Sequence, residues 1–402
     1  MYKKFVKTFL YQLSKEIGCR PAGSPEAHNS CDLIANYLRT NEYSIIRQKY
    51  DCPHWELLDS KLRINEKAYP AVAAVHSPSC NVKALPVFAS TEDELKNTEL
   101  SGRIAVLSGS LSSQGYFPKN FDFFRIDDQD RIIRILEEKK PEAIIFVTQR
   151  DENHVSLIED SEFSFPVMTV SSGVGKMIAG YPEKPVEMII SSKSIPSHSA
   201  NIIGRYGIES DNDERIVICA HYDTKHGTPG AVDNGTGTTA MLLAAELIKN
   251  NYMKNQVKPR CGIEIVAFGG EDSWYPGDAS YFEFAAGYLN KIKLAINIDG
   301  ISVKEENDTI AFLECSELLE GKILETGRKF PGIVKTAPWY ESDHSFFARL
   351  KIPTLAFTTQ NLRGLIDTIV HTPADSFEIT DPEKVVSVAQ YIADIVSADC
   401  PV

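Results

Sequence analysis

A chain of 402 residues, 43% of them hydrophobic and 24% charged, has enough apolar material for two domains or for one large domain carrying an insertion. Its formal net charge of −13 argues against nucleic acid and anionic membrane surfaces as partners. No apolar run approaches the ~20 residues of a transmembrane helix, and the start, MYKKFVKTFLYQLSKEIG, has no small-residue cleavage site, so a cytoplasmic protein is expected. The eight cysteines (Cys19, Cys31, Cys52, Cys80, Cys219, Cys261, Cys315, Cys400) show no CxxC spacing; they read as reduced structural thiols, their even number leaving disulfides open.

The spacing predicts helices over residues 4–17 and 25–40, the second capped by Ser24 with Pro25 in its first position. YSIIRQKY alternates as a strand does, and short β-like pieces follow to about Pro70. From about Val72 to Ile190 the texture changes to short strands with turn signals, SGRIAVLSGS, EAIIFVTQ and FPVMTVSS, and a helix near Asp128–Lys140. That order resembles the protease-associated domain. Lys119, Phe121, Phe123 and Arg125 within it read as core and solvated surface. The acidic loop ESDNDER is a solvated turn without calcium-loop spacing.

The chain then reads IVICAHYDTKHGTPGAVDNGTG over residues 216–237. A β-branched apolar run ends in His221, Tyr222 and Asp223, with His221 and Asp223 on one face by alternation. After a Gly/Pro loop, Asp233 precedes a helix that starts near TTAMLLAAELIKN. Alone, a His and an Asp at a strand end describe a satisfied hydrogen-bonded pair. What changes the balance is recurrence: IEIVAFGG leads to Glu271 and Asp272, KLAINI to Asp299, and DTIV to His371, each after an apolar strand-like run. In open α/β sheets ligands bind outside the carboxyl ends of the strands.

Adjacent carboxylates such as Glu271 and Asp272 repel unless a cation or proton offsets them. Their alternating directions let one bind a metal while the other faces the attacking water. Two His and three Asp are too many ligands for one tetrahedral zinc that keeps a position open, and right for two zincs if one carboxylate bridges. Asp233, on the loop between the His221 strand and the following helix, is the best bridge. Asp375, four residues after His371, is a candidate orienter of the ligands.

His221-x-Asp223, GAVDNGTG, the GGED turn, NIDG, ESDHSFF with KIPTLAF, and VHTPADS stand in the order seen in metallopeptidase family twenty-eight, the co-catalytic zinc aminopeptidases, and the chain resembles that family over most of residues 195–380. The CRPAGSPEA loop and the opening helices are similar too. The resemblance implies an α/β fold with a mixed, mostly parallel central sheet sandwiched by helices. That catalytic domain would span residues 1–70 and 191–402, with a smaller β-rich α+β domain inserted at 71–190. It implies one zinc on His221, Asp299 and bridging Asp233, and a second on Asp272, His371 and Asp233, with cobalt or manganese as substitutes. Glu271 would be the general base and acid, Asp223 would orient His221, and a cis peptide would follow Asp233. Tyr340 is a candidate for polarising the substrate carbonyl, and His344 reads as a hydrogen-bonding rather than ligating histidine. Many relatives carry two glutamates where this chain has Glu271-Asp272, which makes the second ligand one methylene shorter.

The function implied is an aminopeptidase acting on peptides. Alternatives are a carboxypeptidase, which needs arginines such as Arg205, Arg349 or Arg363 at the substrate carboxylate, a single-zinc glutaminyl-cyclase-like acyl transferase, and a non-catalytic scaffold with an inactive peptidase fold. A homo-oligomer is compatible with such an enzyme, but no stretch specifies one.

Overall fold

The computed structural model describes residues 2–119, 126–148, 155–257 and 259–397; Phe121, Phe123, Arg125 and Cys400 lie outside the described residues. The chain divides into two compact units, one of residues 1–52 and 197–402 and one of residues 53–196. The second is wider than the composition change at Val72 suggests, because its boundaries fall inside two long strands, β1 (Ser44–Ile64) and β2 (Val186–Tyr206), that carry no composition break.

In the first unit, β3 (Arg215–His221), β4 (Gly262–Phe268) and β5 (Ile292–Ile298) are buried along nearly their whole length, which is why they read as continuous apolar runs. With β6 (Asp308–Leu313), β7 (Ile333–Lys335) and β8 (Thr354–Thr359) they form a sheet ordered β7-β6-β8-β5-β3-β4-β2-β1. The pairs β3–β4, β3–β5, β5–β8 and β6–β7 are parallel, whereas β6–β8 and β4–β2 are antiparallel, so the sheet is mixed. Helices α1 (Tyr2–Tyr11), α2 (Pro25–Thr40), α3 (Gly237–Asn255) and α4 (Pro382–Ser397) share one core with it, in which Val6, Ile34, Ile218, Leu243, Ile296 and Ile392 are fully buried. Ser24 caps α2 by accepting the Ala27 N–H at 3.0 Å. Glu264 of β4 is a fully buried exception to the apolar pattern. It accepts from Arg205 at 2.7 Å, Arg215 at 3.2 Å and the Tyr281 hydroxyl at 2.7 Å, which compensates its burial.

The unit of residues 53–196 has a five-stranded sheet in which Pro86–Ala89, Ile104–Leu107, Ala143–Val147 and Val167–Val170 run parallel and Val72–Ala73 closes one edge antiparallel. Helices Glu92–Asn97 and Asp127–Lys139 occupy two of its connections. A hairpin at Asn65–Glu66, both with positive φ as a tight two-residue turn requires, pairs Leu62–Ile64 with Lys67–Tyr69. Lys119 pairs with Glu137 at 2.9 Å. Among the described residues no helix is long and apolar enough to cross a membrane. Cys19, Cys31, Cys52, Cys80, Cys219 and Cys315 are free thiols, while Cys261 stands in a disulfide.

Candidate metal centre

Three neighbouring parallel strands bring their carboxyl ends together. His221 is the last residue of β3 and Asp299 follows β5 directly, while Gly269 and Gly270 separate β4 from Glu271 and Asp272. His371 arrives differently. The DTIV run before it straddles the end of a short helix, Leu362–Thr368, and the turn holding Ile369 and Val370, after which His371 has a φ of 63°. Apolar texture over so few residues does not separate the two secondary structures.

Asp233 lies between the histidines. Its Oδ1 is 3.1 Å from His221 Nε2 and its Oδ2 is 3.0 Å from His371 Nε2. His221 Nε2 is also 3.4 Å from Asp299 Oδ1 and 3.9 Å from Glu271 Oε2, and His371 Nε2 is 3.0 Å from Asp272 Oδ1. The ligand atoms of His221, Asp233 and Asp299, of His221, Glu271 and Asp272, and of Asp233, Asp272 and His371 each lie within 4.8 Å of one another. His221 is fully buried, and among the described residues neither ring nitrogen makes a hydrogen bond of good geometry. Unsatisfied buried imidazole nitrogens aimed at carboxylates, in a set of two His and several Asp, fit a borderline cation such as zinc.

The electrostatics agree. Burial alone would lower the pKa of His221, but Asp299 and Glu271, then Asp223 and Asp233, hold it well above the usual value. His371 is likewise lowered by burial and then lifted by Asp272 and Asp233, to about 10. Burial works against ionisation of Asp233, yet the two histidines hold its carboxyl well below the carboxylate range. Glu271 moves the opposite way, pushed well up by burial although His221 opposes the shift. A cluster that takes up protons to balance its carboxylates is one a cation can balance instead.

The supports come from distant parts of the chain. Asp223 Oδ1 lies 3.6 Å from His221 Nδ1 and accepts the Glu271 N–H at 3.1 Å. Asp375 does not face His371; it accepts the N–H groups of Val232 at 2.7 Å and Asp233 at 3.1 Å, fixing the loop on which Asp233 sits. The Asp233–Asn234 peptide is cis. Gly237 starts α3 where a Cβ would stand 2.0 Å from Asn234 Oδ1 and 2.4 Å from the Ile298 carbonyl, so no larger residue fits. The shorter Asp272 still reaches His371, and its Oδ2 accepts the Lys225 N–H at 3.0 Å.

Sequence reasoning missed three supports. Arg20, fully buried in the CRPAGSPEA loop, donates to the carbonyls of Tyr222 (2.5 Å), Pro229 (2.8 Å), Gly230 (2.8 Å), Gly18 (3.0 Å) and Leu13 (3.4 Å). It ties the His221 strand end to the Asp233 loop; the unusual arginine amid small residues was the available signal. The Tyr50 hydroxyl donates to the Gly269 carbonyl, which also accepts from Ser199 at 3.1 Å, so β1 and β2 brace the turn before Glu271. Asp278 and Asp343 are both fully buried, and burial first of all holds both well above the carboxylate range.

Tyr340 is not gathered into the cluster. Its side chain is exposed, and among the described residues no hydrogen bond joins it to the ligands. His344 is neutral, lowered by burial to about 4, accepting from Asn297 at 3.2 Å and donating to the Trp339 carbonyl at 2.8 Å. Arg205 is committed to Glu264, and Arg363 lies 3.7 Å from Asp367 on the surface.

The chain is 23% identical over 412 residues to aminopeptidase YwaD of Bacillus subtilis (strain 168), with 98% of this chain and 83% of the relative covered. Its structure is similar to that of BSAP, a zinc aminopeptidase from Bacillus subtilis, with a TM-score of 0.77, 21% identity, and 99% of this chain and 94% of that one covered. The aminopeptidase from Aneurinibacillus sp. strain AM-1 gives a TM-score of 0.75 at 18% identity over 99% and 93% of the two chains. These likenesses show a shared fold, a mixed sheet flanked by helices. The family model described as peptidase family M28 matches residues 201–396, the stretch that carries every residue of the His/Asp/Glu cluster.

Proposed function

We propose that the protein is a zinc-dependent aminopeptidase that removes N-terminal residues from peptides. The observation that carries this reading is Asp233, whose two oxygens face two different histidines at 3.1 Å and 3.0 Å. A carboxylate so placed is suited to bridging a pair of ions, one held with His221 and Asp299 and the other with His371 and Asp272. Such a pair would supply Lewis acidity at the peptide carbonyl and lower the pKa of the attacking water. Glu271 is the one carboxylate of the cluster left over from this ligand set. Its side chain takes the proton of the attacking water and returns it to the leaving amine, and the high proton affinity of its buried carboxyl suits that exchange. Asp223 anchors Glu271 through the backbone N–H. The relatives named as aminopeptidases, and the commitment of Arg205 to Glu264, favour an aminopeptidase over a carboxypeptidase.

The test is metal stoichiometry on the purified chain with hydrolysis of a panel of aminoacyl p-nitroanilides before and after chelation. Two zincs per chain with chelator-sensitive release are expected. Glu271→Gln should keep both metals and lose roughly 10²- to 10⁴-fold in kcat. A chain with one metal, or Glu271→Gln with substantial turnover, would overturn the reading.

A further inference from the structure

Lys384, in the first turn of α4, directs its ammonium group at three main-chain carbonyls: Val303 at 2.8 Å, Lys304 at 2.7 Å and Glu306 at 2.7 Å. The three donors of the ammonium match these three acceptors, all of them on one loop. Carbonyl oxygens that converge on one point repel unless a cation lies between them, as in the oxygen cages that hold potassium. The loop begins directly after Asp299. Its backbone turns at Gly300 and Ser302, with φ of 65° and 63°, and the Ser302 N–H donates to Asp308 Oδ1 at 2.6 Å.

The same loop meets the segments that carry the other candidate ligands. Val303 bridges to Thr380, the Lys304 N–H donates to the Ile379 carbonyl at 3.0 Å, and the Asp381 N–H donates to the Ser302 carbonyl at 2.7 Å. Farther along, the Gln360 N–H reaches the Asn307 carbonyl at 2.8 Å, just before the helix Leu362–Thr368 that leads to His371. The Val303 side chain is buried with Val232, Leu365 and Val370 in a small apolar cluster of its own. Val232 directly precedes Asp233, and Val370 directly precedes His371. One loop therefore follows one candidate ligand in sequence and packs behind two others.

We propose that Lys384 is a positioning residue: its ammonium is a tethered cation that fills a carbonyl cage and so holds Val303 against the segments carrying Asp233 and His371. This rests on the reading of the cluster as a zinc site. Without the ammonium the carbonyls lose their shared partner, two of them in part-buried bonds, and the loop must open to find water. The lysine head is a compact point charge, so once head and stem are gone a monovalent cation of similar size, ammonium or potassium, can take its place.

The test compares Lys384→Ala, Lys384→Met and Val303→Ala with the parent, in potassium or ammonium chloride against tetramethylammonium chloride at equal ionic strength. In tetramethylammonium, Lys384→Ala should bind zinc roughly 10-fold more weakly by chelator competition. Potassium or ammonium at about twice its dissociation constant should recover about threefold of that loss. The urea midpoint of the zinc-free Lys384→Ala chain should rise with the same ions, while that of the parent does not depend on which cation is present. Lys384→Met keeps a stem in the cage, and Val303→Ala keeps the lysine; both should bind zinc more weakly with no response to the choice of cation. A Lys384→Ala or Val303→Ala chain with zinc affinity within about threefold of the parent would overturn the proposal. So would a Lys384→Ala chain that responds to potassium and ammonium no more than Lys384→Met does, or that folds in none of the salts. A parent chain that binds no zinc would instead overturn the zinc reading, and the salt dependence of the urea midpoint would still decide the cage.

Discussion

Replacing Arg20 by Met measures how much of the metal centre is held from outside it. Three guanidinium hydrogen bonds, to Tyr222, Pro229 and Gly230, are between 2.5 and 2.8 Å long and end on buried or part-buried carbonyls of the segments that carry His221 and Asp233. Bonds of this charge-assisted kind contribute about 1.5–3 kcal/mol each, so their gross loss is roughly 5–9 kcal/mol. Removing the cation also relieves a desolvation cost of several kcal/mol, visible in the Arg20 pKa, which burial lowers to about 10 although Asp375 and Asp223 oppose the shift. The expected net loss is about 3–5 kcal/mol, the range found when one partner of a buried charged network is removed. With a urea m-value of about 3 kcal/mol/M, the unfolding midpoint falls by roughly 1–1.7 M. Urea titration in excess chelator, followed by far-UV circular dichroism, reads this without the metal's contribution. In the folded variant, zinc affinity should fall about 10- to 100-fold, as when the supports of a ligand set are cut. Arg20→Lys, with three donors on one nitrogen, should fall between the two. A midpoint within about 0.3 M of the parent for Arg20→Met would show that the carbonyls find other donors and that the clamp does not carry the strand end.

Chelation should lower the unfolding temperature, because Glu271, Asp272, Asp299 and Asp233 then face one another without a cation. A site occupied at about 1,000 times its dissociation constant adds about 4 kcal/mol, so calorimetry with and without zinc should differ by roughly 8–16 °C. Identical transitions would remove the cluster from consideration as a metal site. Glu264→Leu leaves Arg215 and Arg205 without their buried acceptor and should cost about 3–5 kcal/mol, whereas Glu264→Leu with Arg215→Met should cost less, since Arg205 still reaches Asp211 at 3.4 Å. A double variant less stable than the single would refute this. Asp308 is lifted by burial to about 6, above its unfolded value near 3.8, so its contribution to stability is complete below about pH 4 and is lost as pH rises through 6. Asp308→Asn should remove that slope, worth at most about 3 kcal/mol, and thermal unfolding between pH 4 and 8 with an unchanged slope would contradict it.

The clustered residues were legible because a buried strand tolerates polar side chains only at its ends. His221, Asp299 and the Glu271-Asp272 pair each stop an apolar run, and that pattern survives without any knowledge of pairing. The element before His371 was not legible as a helix, because a few apolar residues fit either period. Arg20, Tyr50 and the target of Asp375 were invisible for a different reason. Their partners lie 202, 219 and 143 residues away, and a hydrogen bond across that separation leaves no periodicity in the chain. The boundary of the second unit at Pro53 rather than near residue 71 was hidden because β1 runs through it with one strand-like texture.

The division of the chain also orders events during synthesis. The cores of the second unit draw on residues between Trp55 and Ile190 alone, so all of their contacts are available once residue 196 has emerged. The core of the first unit joins Val6 to Val396 and waits for the last helix. His371 follows His221 by 150 residues, a delay of roughly 8–30 s at 5–20 residues per second. Through that interval the chain lacks one of the two histidines that Asp233 faces, so the cluster cannot close before residue 371 has emerged.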